Sequence, residues 1–295
     1  MNYIILSISM LACLLGGMIK KFLGDRFESK NAMYHVYNAV VSFVSALSLL
    51  LISNNIKMSP FTIILGIIFG VVTAFQSIFN LKAFENGPYS YTSVIVSLST
   101  IIPTLSGCII WHEHISAIQI IGILLMLICF VCSVNFTDNQ KKTSILWILY
   151  TFMTFCFTGF IGVMQKWHQS TTYKNELDGF LVIAFFISFA YSAIGFLYAC
   201  SKKFPSPRYI LKKEITLSAV IFMIIGGICA AANNKMNLYL SGVMESAIFF
   251  PTVNGGGLVL STIASQIFFK EKLSKKQGLG VVLGIIAVVL LCNPF

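Results

Sequence analysis

The sequence predicts an all-α integral membrane protein with ten transmembrane helices, arranged as two inverted five-helix repeats. Three observations predict it: an apolar composition, long apolar runs parted by short polar stretches, and motifs that occur twice in the same order. Of 295 residues, 57% are hydrophobic and only 10% are charged, and the mean hydropathy is +0.86. A soluble domain carries about a quarter charged residues because its surface faces water. Most of this surface must face something apolar. A bilayer core about 30 Å thick takes roughly 20 apolar residues per helix, so ten helices leave only short loops.

Breaking the apolar runs at charges, prolines and Asn/Ser clusters gives spans at about 2–22, 31–53, 60–83, 88–111 and 115–136. A polar stretch at 137–143 follows, then spans at about 144–167, 178–200, 215–239, 243–269 and 274–293. The expected division is therefore a first five-helix repeat over 1–136, a linker over 137–143 and a second repeat over 144–295. Barrel strands would show short alternating segments, and these runs are long and unbroken. Met1-Asn2-Tyr3 leads straight into an apolar run with no basic region or small-residue cleavage site. It reads as the first span, not a removed signal peptide.

The two halves repeat each other. Trp111-His112-Glu113-His114-Ile115-Ser116-Ala117-Ile118-Gln119 lines up with Phe269-Lys270-Glu271-Lys272-Leu273-Ser274-Lys275-Lys276-Gln277. Ser caps the following helix in each copy, and Gln three residues on closes a capping box. Gly16-Gly17-Met18-Ile19-Lys20 matches Gly162-Val163-Met164-Gln165-Lys166, and Asn86-Gly87 matches Ser241-Gly242. An odd number of helices per half turns the second half upside down, the inverted repeat of many secondary transporters.

The formal charge of +10 is a matter of topology. Loops opposite the termini hold sixteen Lys and Arg residues, from Lys20 to Lys276. Those on the terminal side hold Lys57, Lys166 and Lys174. The positive-inside rule then places both termini outside the cytoplasm of a bacterial-type plasma membrane. Without a soluble basic module, no nucleic-acid partner is expected.

The repeated plan and its two aromatic-x-Glu-x-[Ile/Leu]-Ser-x-x-Gln boxes resemble the drug/metabolite transporter superfamily, in particular its EamA-like branch. The resemblance covers nearly the whole chain and is more specific for fold than for substrate. It implies alternating-access transport of a small metabolite, amino acid, sugar or drug through a cavity between the halves. It also implies cytoplasmic termini, the opposite of the charge count.

Transporter sites often lie where corresponding helices are interrupted near the bilayer midplane. Pro103 follows Ser97-Leu98-Ser99-Thr100 in the fourth span, and Pro251 precedes Asn254-Gly255-Gly256-Gly257 in the ninth. Proline removes a helical donor and glycine weakens a helix, so Pro103, Pro251, Gly255, Gly256 and Gly257 are expected to mark two matched breaks. Small-residue packing faces are the competing reading. Polar groups within spans are costly unless paired or facing a cavity. On that basis Gln76, Asn80, Asn233, Asn234 and Asn254 are candidate substrate ligands, with Lys235 at the edge of the site. Lys235 could instead snorkel to the interface. Glu245 is a candidate proton-coupling group, against a solvated helix start that favours an acid.

No catalytic residue, metal site or cofactor is expected. His112-Glu113-His114 invites a metal, but the other copy keeps the Glu and replaces both His with Lys270 and Lys272. The eight cysteines lie in or beside apolar runs with no zinc spacing. The expected function is secondary transport of a small polar metabolite by a monomer or homodimer embedded in membrane lipid. A lipid flippase on the same fold is the alternative. An intramembrane enzyme would need convergent carboxylates or His, and most acids here are scattered loop residues.

Overall fold

The computed structural model describes residues 1–26, 30–53, 56–86, 89–132, 144–202, 215–268 and 274–292. The helices are α1 Asn2–Arg26, α2 Lys30–Ile52, α3 Pro60–Asn86, α4 Tyr89–Leu98, α5 Ile101–Trp111, α6 Ala117–Cys132 and α7 Ile145–Gln169. A 3-10 turn at Lys174–Glu176 leads into α8 Leu177–Lys202, followed by α9 Leu217–Val243, α10 Ser246–Phe268 and α11 Lys275–Cys292. No strand occurs among the described residues. The linker at 137–143, Gly87 and the second box up to Leu273 lie outside them.

Eight of the described helices are long and apolar enough to cross a membrane, and Ile95–Trp111 and Ala117–Cys132 form shorter apolar stretches. Large apolar side chains stand exposed along them, Ile4, Ile8, Leu11 and Leu15 on α1 for example. In water such surface would be costly, and in a bilayer it faces lipid. The chain is an integral, multi-pass membrane protein.

Two compact units divide the helices. One comprises Ser7–Ala74 and Thr171–Asn237, the other Met1–Leu6, Phe75–Ser170 and Leu238–Phe295. In the first, α2 packs along α8. Gly66 and Gly70 of α3 lie flush against Ile183 and Ile187 of α8. Gly227 of α9 lies against Val44 of α2, and the Ser45 hydroxyl donates to the Gly227 carbonyl at 2.8 Å. Small residues let helix backbones close up where lipid gives no hydrophobic push. Ile19, Leu23, Met33, Val36, Tyr37 and Met223 fill a core at one end.

In the second unit, α6 packs along α11. Met126, Cys129 and Phe130 meet Val259, Ala287 and Leu291 there. Both helices begin with a reciprocal capping box. Ser116 N donates to Gln119 Oε1 at 2.9 Å and Gln119 N to Ser116 Oγ at 3.2 Å. The Ser274–Gln277 pair repeats this at 2.9 and 3.3 Å. Tyr3 Oη donates to the Cys292 carbonyl at 3.1 Å, so the two chain ends lie together.

The stretch expected to form a fourth span is two helices. Pro103 has no N–H for the Ser99 carbonyl, which accepts from Ile102 N at 3.0 Å instead. The chain tightens over Ser99-Thr100, and α5 restarts at Ile101. Its counterpart corrects the expectation of a matched break: α10 runs unbroken from Ser246 to Phe268 with Pro251 inside. Pro251 removes one donor near the start of the helix, while Gly255, Gly256 and Gly257 keep theirs. Gly255 also packs tightly on Met126.

Candidate functional site

The polar groups within spans fall into three clusters, each inside one unit. The first lies on the seam of α3 and α7. Gln76 and Asn80 are four residues apart and so share a face of α3. Gln76 Nε2 donates to Thr158 Oγ1 of α7 at 3.1 Å. Further along the seam, Phe79 packs on Phe157 and Tyr150, and Lys82 sits 5.4 Å from the Tyr150 ring centre. Asn80 and Thr151 both fall between these two contacts in the antiparallel register. The buried Asn80 Oδ1 and Thr151 Oγ1 have no hydrogen-bond partner among the described residues. A buried polar atom left unpaired costs about 1–3 kcal/mol, so the two call for a partner that the described residues do not supply.

The break between α4 and α5 belongs to the same unit. Asn254 Nδ2 donates to Thr100 Oγ1 at 3.3 Å and to the Phe250 carbonyl at 3.0 Å. Thr104 N and Oγ1 both donate to the Thr100 carbonyl, at 3.3 and 2.8 Å. Asn254 itself is exposed, and a Cβ at Gly257 would meet nothing within 4 Å. This stretch of α10 thus presents an amide beside open space.

The other unit holds Asn233, Asn234 and Lys235. The buried Ser9 hydroxyl lies 2.9 Å from Asn233 Oδ1 and 2.5 Å from Asn237 Oδ1, and Asn237 Nδ2 donates to Asn233 Oδ1 at 3.2 Å. Asn234 donates to its own helix at the Ala230 carbonyl, 2.9 Å away. Lys235 pairs with Asp178 at 2.9 and 3.0 Å, and Asp178 also accepts from Ser53 Oγ at 2.5 Å. Glu176 accepts from Ser59 N and Oγ at 2.8 and 2.7 Å, which ties the start of α3 to the turn before α8. The sequence left Asp178 among scattered loop acids. Its place in the first turn of α8 gives Lys235 a partner.

A third cluster involves charges first assigned to topology. Lys166 Nζ lies 2.6 Å from Glu113 Oε1 and donates to the Met244 carbonyl at 3.0 Å. Glu113 Oε2 accepts from Ser246 N at 2.7 Å, at the positive end of α10. Glu245, the sequence candidate, is exposed and accepts from Gln119 Nε2 at 3.4 Å. No group of His, Cys, Asp or Glu fit to hold a metal occurs among the described residues.

Sequence reasoning missed Thr151, Thr158 and Thr100, because hydroxyls are common in membrane helices. Thr151 and Thr158 stand seven apart, which puts them on one face of α7, and that spacing was readable.

No family profile matches the sequence. The chain is 26% identical over 244 residues to an uncharacterized protein of Haemophilus influenzae, covering 78% of this chain and 74% of that one. It is 23% identical over 253 residues to the "probable glucose uptake protein GlcU" of Bacillus cereus, covering 79% and 78%. A solved structure described only as "Crystal structure of protein" superposes with a TM-score of 0.73 at 11% identity, over 99% of this chain and 96% of that one. That likeness is one of fold.

Proposed function

We propose that the chain is a secondary transporter that moves a small polar metabolite, a sugar of the glucose class, across the membrane by alternating access. The observation that carries the reading is the half-used stretch of neutral polar side chains, Gln76, Asn80, Thr151 and Thr158, on the seam of α3 and α7. Asn80 Oδ1 waits for a donor, and Thr151 Oγ1 can donate or accept. A polyol hydroxyl answers both needs, whereas a hydrophobic cation answers neither. Gln76, and Asn254 at the α4–α5 break, add further amides in the same unit. The Bacillus cereus relative, a probable glucose uptake protein by name, supports the sugar class.

The proposal includes ten spans in two inverted repeats with both termini outside the cytoplasm. Packing of like-placed helices supports the repeat: α2 on α8, and α6 on α11. The α3–α8 and α2–α9 glycine contacts also exchange places between halves. A C-terminal reporter active only in the cytoplasm should stay silent, and strong cytoplasmic signal would overturn the orientation.

The site is tested by thermal unfolding of detergent-purified protein with D-glucose, L-glucose and neutral amino acids. A ligand at a hundred times its Kd adds about 2.7 kcal/mol. Stabilisation by D-glucose alone is expected, and stabilisation only by amino acids would replace the sugar class.

A further inference from the structure

We propose that Ser9 is a positioning residue: it fixes the Asn233 carboxamide so that its NH2 end donates to a hydroxyl oxygen of the transported sugar. The inference deepens the transport reading and rests on it for the class of ligand. Ser9 is wholly buried on α1, a helix whose exposed face carries Ile4, Ile8, Leu11 and Leu15. A hydroxyl shut inside such a helix is costly unless paired. Its partners are the side-chain oxygens of Asn233 and Asn237 on α9, at 2.9 and 2.5 Å. All three residues belong to one unit.

The two amides hold one another. Asn237 Nδ2 donates to Asn233 Oδ1 at 3.2 Å. Turning either amide over alone would set oxygen against oxygen or nitrogen against nitrogen, so they can turn only as a pair. The Ser9 proton, given to the oxygens, selects the arrangement in which both oxygens point inward. Asn233 Oδ1 therefore accepts twice, while its nitrogen donates to nothing among the described residues. The residue is half-buried and its oxygen faces a wholly buried serine, so its open part is the NH2 end.

Free N–H groups well inside a span are costly against hydrocarbon, and the helix does not turn them to it. Ile221, Ile224, Ile225 and Ile228 form the exposed apolar stripe of α9. At about 100° per residue, Asn233 stands roughly 130° round the helix from the middle of that stripe. It shares the face of Gly226, whose bare side meets Ile19, Tyr37 and Val41. The neighbouring polar groups are engaged elsewhere: Asn234 donates to the Ala230 carbonyl and Lys235 to Asp178. Asn233 makes the opposite demand to Asn80. The Asn80 oxygen takes a hydroxyl proton, and the Asn233 nitrogen gives one to a hydroxyl oxygen.

The test uses D-glucose analogues in which each hydroxyl in turn is replaced by hydrogen or by fluorine, titrated by thermal shift of detergent-purified protein. Fluorine keeps a weak acceptor and gives up the donor, whereas hydrogen gives up both. At the hydroxyl that meets Asn233, wild type should bind the fluoro analogue about two- to fivefold more tightly than the deoxy one, the lower half of what one hydrogen bond is worth. Asn233→Ala should abolish that preference, and Ser9→Ala should weaken it although Asn233 is still present. The preference is read within each variant, so a loss of folded protein does not move it. No preference at any hydroxyl in wild type, or one kept at every hydroxyl in N233A, overturns the donor role. A preference unchanged in S9A overturns the positioning role. A sugar-free arm separates the two readings. Asn233→Cys should be modified by a water-soluble methanethiosulfonate, with the label located at position 233 by mass spectrometry. N233C that reacts only with a lipid-soluble maleimide overturns the inference whatever the ligand. Modified N233C in a protein whose wild type no hexose stabilises would sink the sugar reading and the ligand named here with it. Binding of D-glucose with no fluoro preference would sink this inference alone.

Discussion

The Asn254 carboxamide reaches across 3.3 Å to the Thr100 hydroxyl, joining α10 to the fourth span where that span breaks. Its nitrogen is held, while the residue as a whole is exposed beside the open side of Gly257. Replacing Asn254 by Ala removes an amide from the proposed sugar site without emptying a packed core. A lost hydrogen bond costs about 0.5–1.5 kcal/mol, or about a two- to tenfold rise in Kd. Titration of purified N254A with D-glucose should show this with expression unchanged. Binding as tight as wild type would remove Asn254 from the site.

Asn80 should show a trade between stability and binding. Its buried oxygen is unpaired, so Asn80→Leu relieves a penalty in the sugar-free protein. The melting temperature without sugar should rise by the equivalent of about 1 kcal/mol, and the shift produced by D-glucose should shrink. A lower melting temperature with an intact glucose shift would mean that Asn80 serves packing alone.

Two lysines within or at the end of spans should differ sharply. Lys166 is 8% exposed, and removing it strands the Glu113 carboxylate at 13% exposure. Breaking a buried pair costs about 3–5 kcal/mol, so Lys166→Met should unfold far below wild type. Lys235 is 36% exposed against an Asp178 at 21% that keeps Ser53. Solvent screening limits such a pair to about 1 kcal/mol or less, so Lys235→Met should melt close to wild type. Equal losses in thermal unfolding would contradict the burial argument.

The architecture was legible where physics is local. Apolar run length located the long helices, Ser-x-x-Gln set two helix starts, and Pro103 follows the interruption before α5. Pro251 misled because a single lost donor near a helix start is tolerated when Met126 packs against the next turn. The pairings were less legible, since they depend on which helix faces which. Lys166 and Glu113 are 53 residues apart by their numbers, and Lys235 and Asp178 are 57 apart. One hint was available: the repeat keeps both Lys20/Lys166 and Glu113/Glu271, one charge of each sign per half. Asn233 looked free in the sequence because Ser9, its partner, lies 224 residues away on a helix read only as apolar.

Gly107 tests the packing around Glu113 without touching a charge. Ala at this position pushes on the Glu113 carboxylate and on Ser246 Cβ, 2.5 Å from the new carbon. Gly107→Ala should lower the melting temperature, although Ala favours helix by about 1 kcal/mol in open positions. Gly257→Ala, with nothing within 4 Å, should be neutral or stabilising. A stabilised G107A would contradict this packing.

Counterflow reads sugar movement through the protein without any driving gradient. Wild-type protein is reconstituted into liposomes preloaded with unlabelled D-glucose, diluted into a trace of labelled D-glucose, with no ion gradient imposed. A transient overshoot of internal label is expected, abolished when L-glucose replaces the internal sugar and reduced in N254A. Protein that is folded by thermal unfolding and correctly inserted, yet gives no overshoot above empty liposomes, would contradict it.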